Sequence, residues 1–167
     1  MIGYVTLGTN NTVRGLILAS QLNGPAIAGV GFGTLTVAEL RIDTIQGVAL
    51  VLINGTLTGN FVDMDVTTGT GAGISLDTVG GTWSVTGNVS IGNVTGNGVR
   101  ITNTPAGGSA TFTGGLTINK PSAGAGVTFI ANAAPINLGV VSVTTGAGPA
   151  LTIDNSSGTV TTSGPGT

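Results

Sequence analysis

Cysteine and histidine are both absent from this 167-residue chain, and only 6% of its residues carry a charged side chain. Without thiol or imidazole there can be no disulfide, no Cys/His zinc set, and no Ser-His, Cys-His or histidine acid–base pair. The four basic residues, Arg14, Arg41, Arg100 and Lys120, are scattered. No basic footprint for nucleic acid or for an anionic membrane surface is therefore expected. Apolar runs are short and broken by Gly, Thr and Asn, and none approaches the roughly 20 residues of a membrane helix. No window of ten or more residues has helical periodicity, which argues against an α/β fold. The opening "MIGYVTLGTN" lacks the charged and apolar regions of a secretory signal, so any export signal is expected to lie outside this chain.

What is present is Gly, at 31 positions, and nearly as much Thr, among abundant Val, Ile and Leu. Low charge with many β-branched residues points to folded β structure and away from disorder. One phrase keeps returning: "GVALVLIN" at 47, "GAGISLDT" at 71, "GNGVRITN" at 96, "GAGVTFIAN" at 124 and "GPALTIDN" at 148. Aligned on the first inward apolar residue, the series is Val5, Ile27, Leu50, Ile74, Val99, Val127, Leu151, with gaps of 22, 23, 24, 25, 28 and 24. Self-similarity at this period marks a solenoid, whose units bury their apolar faces only by stacking.

Within each unit the apolar residues alternate, as strands with one buried face require. A first strand carries pairs such as Leu50/Leu52, Ile74/Leu76, Val99/Ile101, Val127/Phe129 and Leu151/Ile153. A second centres on Leu35, Leu57, Trp83, Phe112 and Val160, and a third carries Leu40/Ile42, Val89/Ile91, Leu116/Ile118 and Val141/Val143. A β-sandwich would not repeat one phrase at coil spacing. The expected fold is all-β: a right-handed, single-stranded parallel β-helix with three short strands per coil. About seven coils of 22–28 residues form one domain over residues 1–167, without capping elements.

The small residue before each inward pair and the Gly before it suit a corner. Asn54, Asn103 and Asn155 stand four places after the first inward position, and Asn tolerates left-handed backbone, so a corner ladder of these residues is expected.

The phrases "NTVRGLIL" (11–18), "GFGTLTV" (31–37), "GGTWSVTGNVSIGNVTGNGVRI" (80–101) and "GGLTINKPSAGAGV" (114–127) resemble the repeats of large bacterial extracellular right-handed parallel β-helix surface proteins. The likeness covers almost the whole chain and is compositional. It implies a pectin-lyase-like fold, export to the cell surface, and a role in stalks, adhesion or surface matrices. It supplies no functional residues. Pectin lyases and polygalacturonases share the broad fold, but the chain has no Gly-His-Gly, no clustered Asp pair followed by a Lys-bearing loop, and no long loops.

Two features invite chemistry. Asp63 and Asp65 flank Met64, so alternation puts both carboxylates on one outward face, with Arg41 and Asp43 in the preceding coil. A polysaccharide hydrolase or lyase could use the pair, while the plain reading is a surface ion pair. Hydroxyl pairs also recur on the second strand: Thr34/Thr36, Thr56/Thr58, Thr82/Ser84, Thr111/Thr113 and Thr159/Thr161. Repeated Thr-x-Thr ranks on β-solenoids resemble ice-binding faces, though Thr is simply a good outward β residue. Gly clusters at 69–73 and 146–150 lack the Lys-Ser/Thr of a phosphate loop and are read as corners. No enzyme activity, cofactor or metal is expected. The leading expectation is a non-enzymatic extracellular structural or adhesive module, partnered by itself through its terminal coils or by a surface or matrix component. No nucleic acid and no membrane insertion are expected.

Overall fold

A computed structural model describes residues 4–20 and 23–164. The described residues are all-β, with strands β1 (Val5–Thr6), β2 (Asn11–Arg14), β3 (Ile17–Ser20), β4 (Gly24–Gly69), β5 (Ile74–Gly80), β6 (Thr82–Val85), β7 (Val89–Val94) and β8 (Val99–Thr102). They continue with β9 (Ser109–Phe112), β10 (Leu116–Lys120), β11 (Val127–Ile130), β12 (Ile136–Asn137), β13 (Val141–Thr145), β14 (Leu151–Asp154) and β15 (Val160–Thr161). Strand β4 is not straight. It wraps two whole coils and turns at left-handed residues that include Gly31, Gly33, Glu39 and Asn54.

Every strand pairing is parallel, and each joins neighbouring coils. Three ladders result. The first runs β1, β4, β5, β8, β11, β14; the second β2, β4, β6, β9, β12, β15; the third β3, β4, β7, β10, β13. The described residues thus form a parallel β-solenoid of six three-stranded turns and a seventh in which two strands are described.

The first ladder has the register that the repeat predicts. Val5 pairs with Ile27, and Leu50, Ile74, Val99, Val127 and Leu151 follow one another in a single column. From Ile27 to Val127 every member of that column is essentially inaccessible to solvent. Four residues further on, Gly31, Asn54, Thr78, Asn103, Ala131 and Asn155 all have φ between 46° and 59°. The corner is therefore a column of left-handed backbone. Asn suits it best because its short amide tolerates that region, and Thr78 and Ala131 hold it only because the flanking ladder fixes the turn.

The second ladder differs from the aromatic alignment read in the sequence. Trp83 pairs with Gly59 on one side and Ala110 on the other, while Phe112 pairs with Val85. An indole lying across its column needs more than one rung of room, so its neighbours above and below are small. Phe61 and Phe112 instead meet Trp83 edge-on, with ring centroids 6.5 and 5.5 Å away and interplanar angles of 87° and 80°. Edge-to-face contact is the favoured geometry for such pairs. The longest coil gap, between Val99 and Val127, contains the loop at 103–108 that makes this shift possible. In the third ladder Ile42, not Leu40, shares a column with Leu18, and Val89, Leu116 and Val141 share another stretch of register. Leu40 is nonetheless buried.

Candidate functional site

The third face carries most of the outward charge. Strand alternation turns Arg41, Asp43, Asp63 and Asp65 outward from β4 while Ile42, Met64 and Val66 fill the core. Arg41 donates to Asp63 Oδ2 at 2.8 Å, joining two coils. Asp63 is the more enclosed partner at 16% side-chain exposure, and its Oδ1 is buried without a hydrogen-bond partner. The Asp63/Asp65 pair read from sequence is thus divided: Asp63 is tied to Arg41, and Asp65 stands beside Asp43. Burial raises the Asp65 carboxyl above its usual range, and the charges of Asp63 and Asp43 push it the same way against the opposing pull of Arg41. Asp43 and Asp65, with Thr67, Ser90 and Gly92, line a shallow hollow of about 390 Å³.

Asp43 and Asp65 thus bring two carboxylates to one hollow from neighbouring coils, the residue type a glycosidase pair uses. The hollow's lining contains no aromatic platform for a sugar ring and no cation to steady a developing charge. Among the described residues no group of three or more carboxylates is placed to hold a metal ion.

The hydroxyl rank is present with a changed register. Thr12 pairs with Thr36, whose hydroxyl lies 3.3 Å from that of Thr58. Ser84 stands beside Thr111, and Thr82 beside Ser109. Thr111 and Thr113 are therefore displaced one outward position from the alignment with Thr82 and Ser84. Asn137 joins Thr111 to Thr161, and Thr159, whose carbonyl accepts from Ile136, lies level with Pro135. Thr34 and Thr56 are only half exposed. The result is two staggered files of hydroxyls, each broken by an amide or a proline. Thr36 and Thr58 meet part of each other's hydrogen-bonding demand.

The Asn ladder also takes another form. Asn54, Asn103 and Asn155 occupy alternate coils, with Thr78 and Ala131 between them. Asn103 donates its amide to Asp77 Oδ1 at 2.8 Å, and that bond is the leading cause holding the Asp77 carboxyl below its usual range. Asn132, one place beyond Ala131, is the buried amide. It accepts from the backbone and hydroxyl of Thr104 and donates to the Ile101 carbonyl at 2.8 Å.

No family model, curated protein or solved structure matches this chain.

Sequence reasoning missed Lys120 as a core residue. It follows Leu116 and Ile118 at inward parity, it is fully buried, and its Nζ donates to the carbonyls of Ser122, Ala123 and Gly124 at 3.2, 2.7 and 3.0 Å. Parity was the available signal. Burial lowers its pKa, and the three carbonyls meet all three donors of the ammonium.

The two ends of the solenoid are its other distinctive surfaces. Leu151 and Ile153 are 46% and 49% exposed, although their column neighbours Val127 and Phe129 are 1% and 0% exposed. At the same end Val127, Leu138, Val141, Val143 and Leu151 wall a largely apolar hollow of about 220 Å³. At the opposite end Val5 and Leu18 are only partly covered, while Ile17, 71% exposed, faces sideways in register with Arg41. Among the described residues no helix covers either end, and none is long and apolar enough to cross a membrane.

Proposed function

We propose that this chain is a non-enzymatic structural module of an extracellular or cell-surface layer, building a stalk, fibre or matrix by association through its terminal coils. The observation that carries this reading is the half-exposed Leu151 and Ile153 at the end of columns that are dry as far as Val127 and Phe129. Edge strands in soluble proteins are normally protected by charge, proline, bulges or a covering element. Here the terminal strands β1 and β14 present Val-Thr and Leu-Thr-Ile-Asp, with one charge between them. Covering the exposed halves of Leu151 and Ile153 is worth about 2 kcal/mol, and backbone pairing adds to it. The resemblance to bacterial β-helix surface proteins supports the extracellular setting.

Sedimentation velocity over a dilution series, with electron microscopy of the same samples, tests the reading. Rods that lengthen with concentration and shorten on dilution are expected. A monomer at every concentration would overturn it.

A second reading, recognition of ice or another ordered, hydrated surface, is favoured by the uncharged hydroxyl files Thr12–Thr36–Thr58 and Ser84–Thr111. It predicts thermal hysteresis that Thr58→Tyr abolishes, and rods without hysteresis would remove it.

A further inference from the structure

We infer that association is head-to-tail and in register: the C-terminal coil of one copy takes the N-terminal coil of a second as its next rung. This inference rests on the end-association reading above and adds a partner, a polarity and a register to it.

The two ends are successive members of the same columns. Every rung of the first ladder sets one strand in parallel on the next, with Val127 on Leu151 and Val5 on Ile27 at its two extremes. One further rung of the same kind places Leu151 against Val5 of a second copy, Thr152 against Thr6, and Ile153 against Leu7. On the second ladder, where Val13 pairs with Val37 and Ile136 with Val160, the same step sets Val160 against Val13 of the second copy. Three aliphatic contacts then continue the core across the junction, capping Leu7 and Val13, which are only 8% exposed, and the more open Val5. The backbone groups also match. A parallel strand offers alternate residues to its two sides, so the side left free on β14 is the side that β1 lacks.

Charge selects the polarity. The first coil, through residue 23, contains Arg14 as its only charged side chain, and the stretch from 148 onward contains only Asp154. Joining unlike ends puts one charge of each sign at the junction, on different faces, whereas joining like ends puts two charges of the same sign there. Contact between unlike surfaces is heterologous and does not close by itself, so it propagates into a polar filament. Strand β13 pairs with β10, and Ser163 and Gly164 lie beside Gly139 and Val140 just before it, at the rim of the apolar hollow walled by Val141 and Val143.

The chain has no cysteine, so single-cysteine variants report the junction without background. Thr6 and Thr152 both point outward, and parallel neighbours on adjacent rungs lie within the Cα range of a disulfide. The expected result is that Thr6→Cys mixed with Thr152→Cys forms an oxidised dimer, neither variant alone does so, and the double variant gives a ladder of oligomers on a non-reducing gel. Wild-type filaments should show an axial repeat of about 34 Å, which is seven rungs of 4.8 Å. If wild-type rods form but Thr152→Cys cross-links alone and the repeat is about twice as long, like ends meet; the polarity inference falls and the association reading stands. If the wild-type chain sediments as a monomer throughout, the association reading itself falls and this inference falls with it.

Discussion

Gly59→Ala probes the spacing of the solenoid at one rung. Gly59 has φ of +102° and pairs with Trp83, and a Cβ built on it would run into the carbonyl oxygen of Val37 in the coil beneath, well inside contact distance. The obstacle is backbone, so no side-chain rotation relieves it. Holding a non-Gly residue in that region of φ costs about 1–3 kcal/mol, and forcing two packed coils apart costs about 1–3 kcal/mol more. The sum is about 4 kcal/mol, a large share of the 5–15 kcal/mol that keeps a typical domain folded. For a chain of this size it corresponds to a fall in Tm of roughly 8–16 °C. The assay is thermal unfolding followed by circular dichroism and by the fluorescence of Trp83, the only tryptophan, which sits on the perturbed rung. Gly71→Ala is the control, because a Cβ there meets only a Val48 methyl at 3.5 Å and its φ is not positive. It should shift stability by no more than about 0.5 kcal/mol. Equal melting of the two variants would refute the reasoning, because coils in register at Val37 and Gly59 leave no room for a methyl group.

Phe112→Ala removes a fully buried ring from the edge of Trp83; a loss of about 3–5 kcal/mol is expected, with a red shift of tryptophan emission. Asp65→Asn should raise the melting temperature at neutral pH. Burial and the neighbouring carboxylates lift the Asp65 pKa above its unfolded value, so the native state binds more protons between the two values and wild-type stability falls as pH rises through that window. The advantage of Asp65→Asn should therefore close as pH drops below the ordinary aspartate range, and melts at several pH values check this. Lys120→Ala leaves the carbonyls of Ser122, Ala123 and Gly124 without their donor and opens a cavity; a cost of about 2–4 kcal/mol in urea unfolding is expected.

The first ladder was fully legible in the sequence because its coils repeat both the apolar pair and the corner. Leu50, Ile74, Val99, Val127 and Leu151 align by composition, and their left-handed corner is announced by Asn54, Asn103 and Asn155 even where Thr78 and Ala131 replace asparagine. The second ladder was legible only in part. Matching aromatic to aromatic sets Phe112 on Trp83, but rung spacing demands small neighbours for an indole, and Gly59 and Ala110 supply them. That displacement carries Thr111 and Thr113 with it and staggers the hydroxyl files. Charge misled in one place: Lys120 reads as a surface residue until its inward parity after Leu116 and Ile118 is counted, and nothing local announces the three carbonyls that receive it. On the third face, sequence alternation placed Asp63 and Asp65 together. The coil register read from the repeat also brought Arg41 and Asp43 of the preceding coil beside them, and the Arg41–Asp63 ion pair is that contact, with Asp65 beside Asp43.

Long-range methyl contacts in the NMR spectrum of the soluble chain test the stacked architecture most directly. The account predicts nuclear Overhauser effects linking Leu50 to Ile74, Ile74 to Val99, Val99 to Val127 and Val127 to Leu151, in that order and without skipped members. Connections that place these residues in separate layers, or beside antiparallel strands, would contradict it.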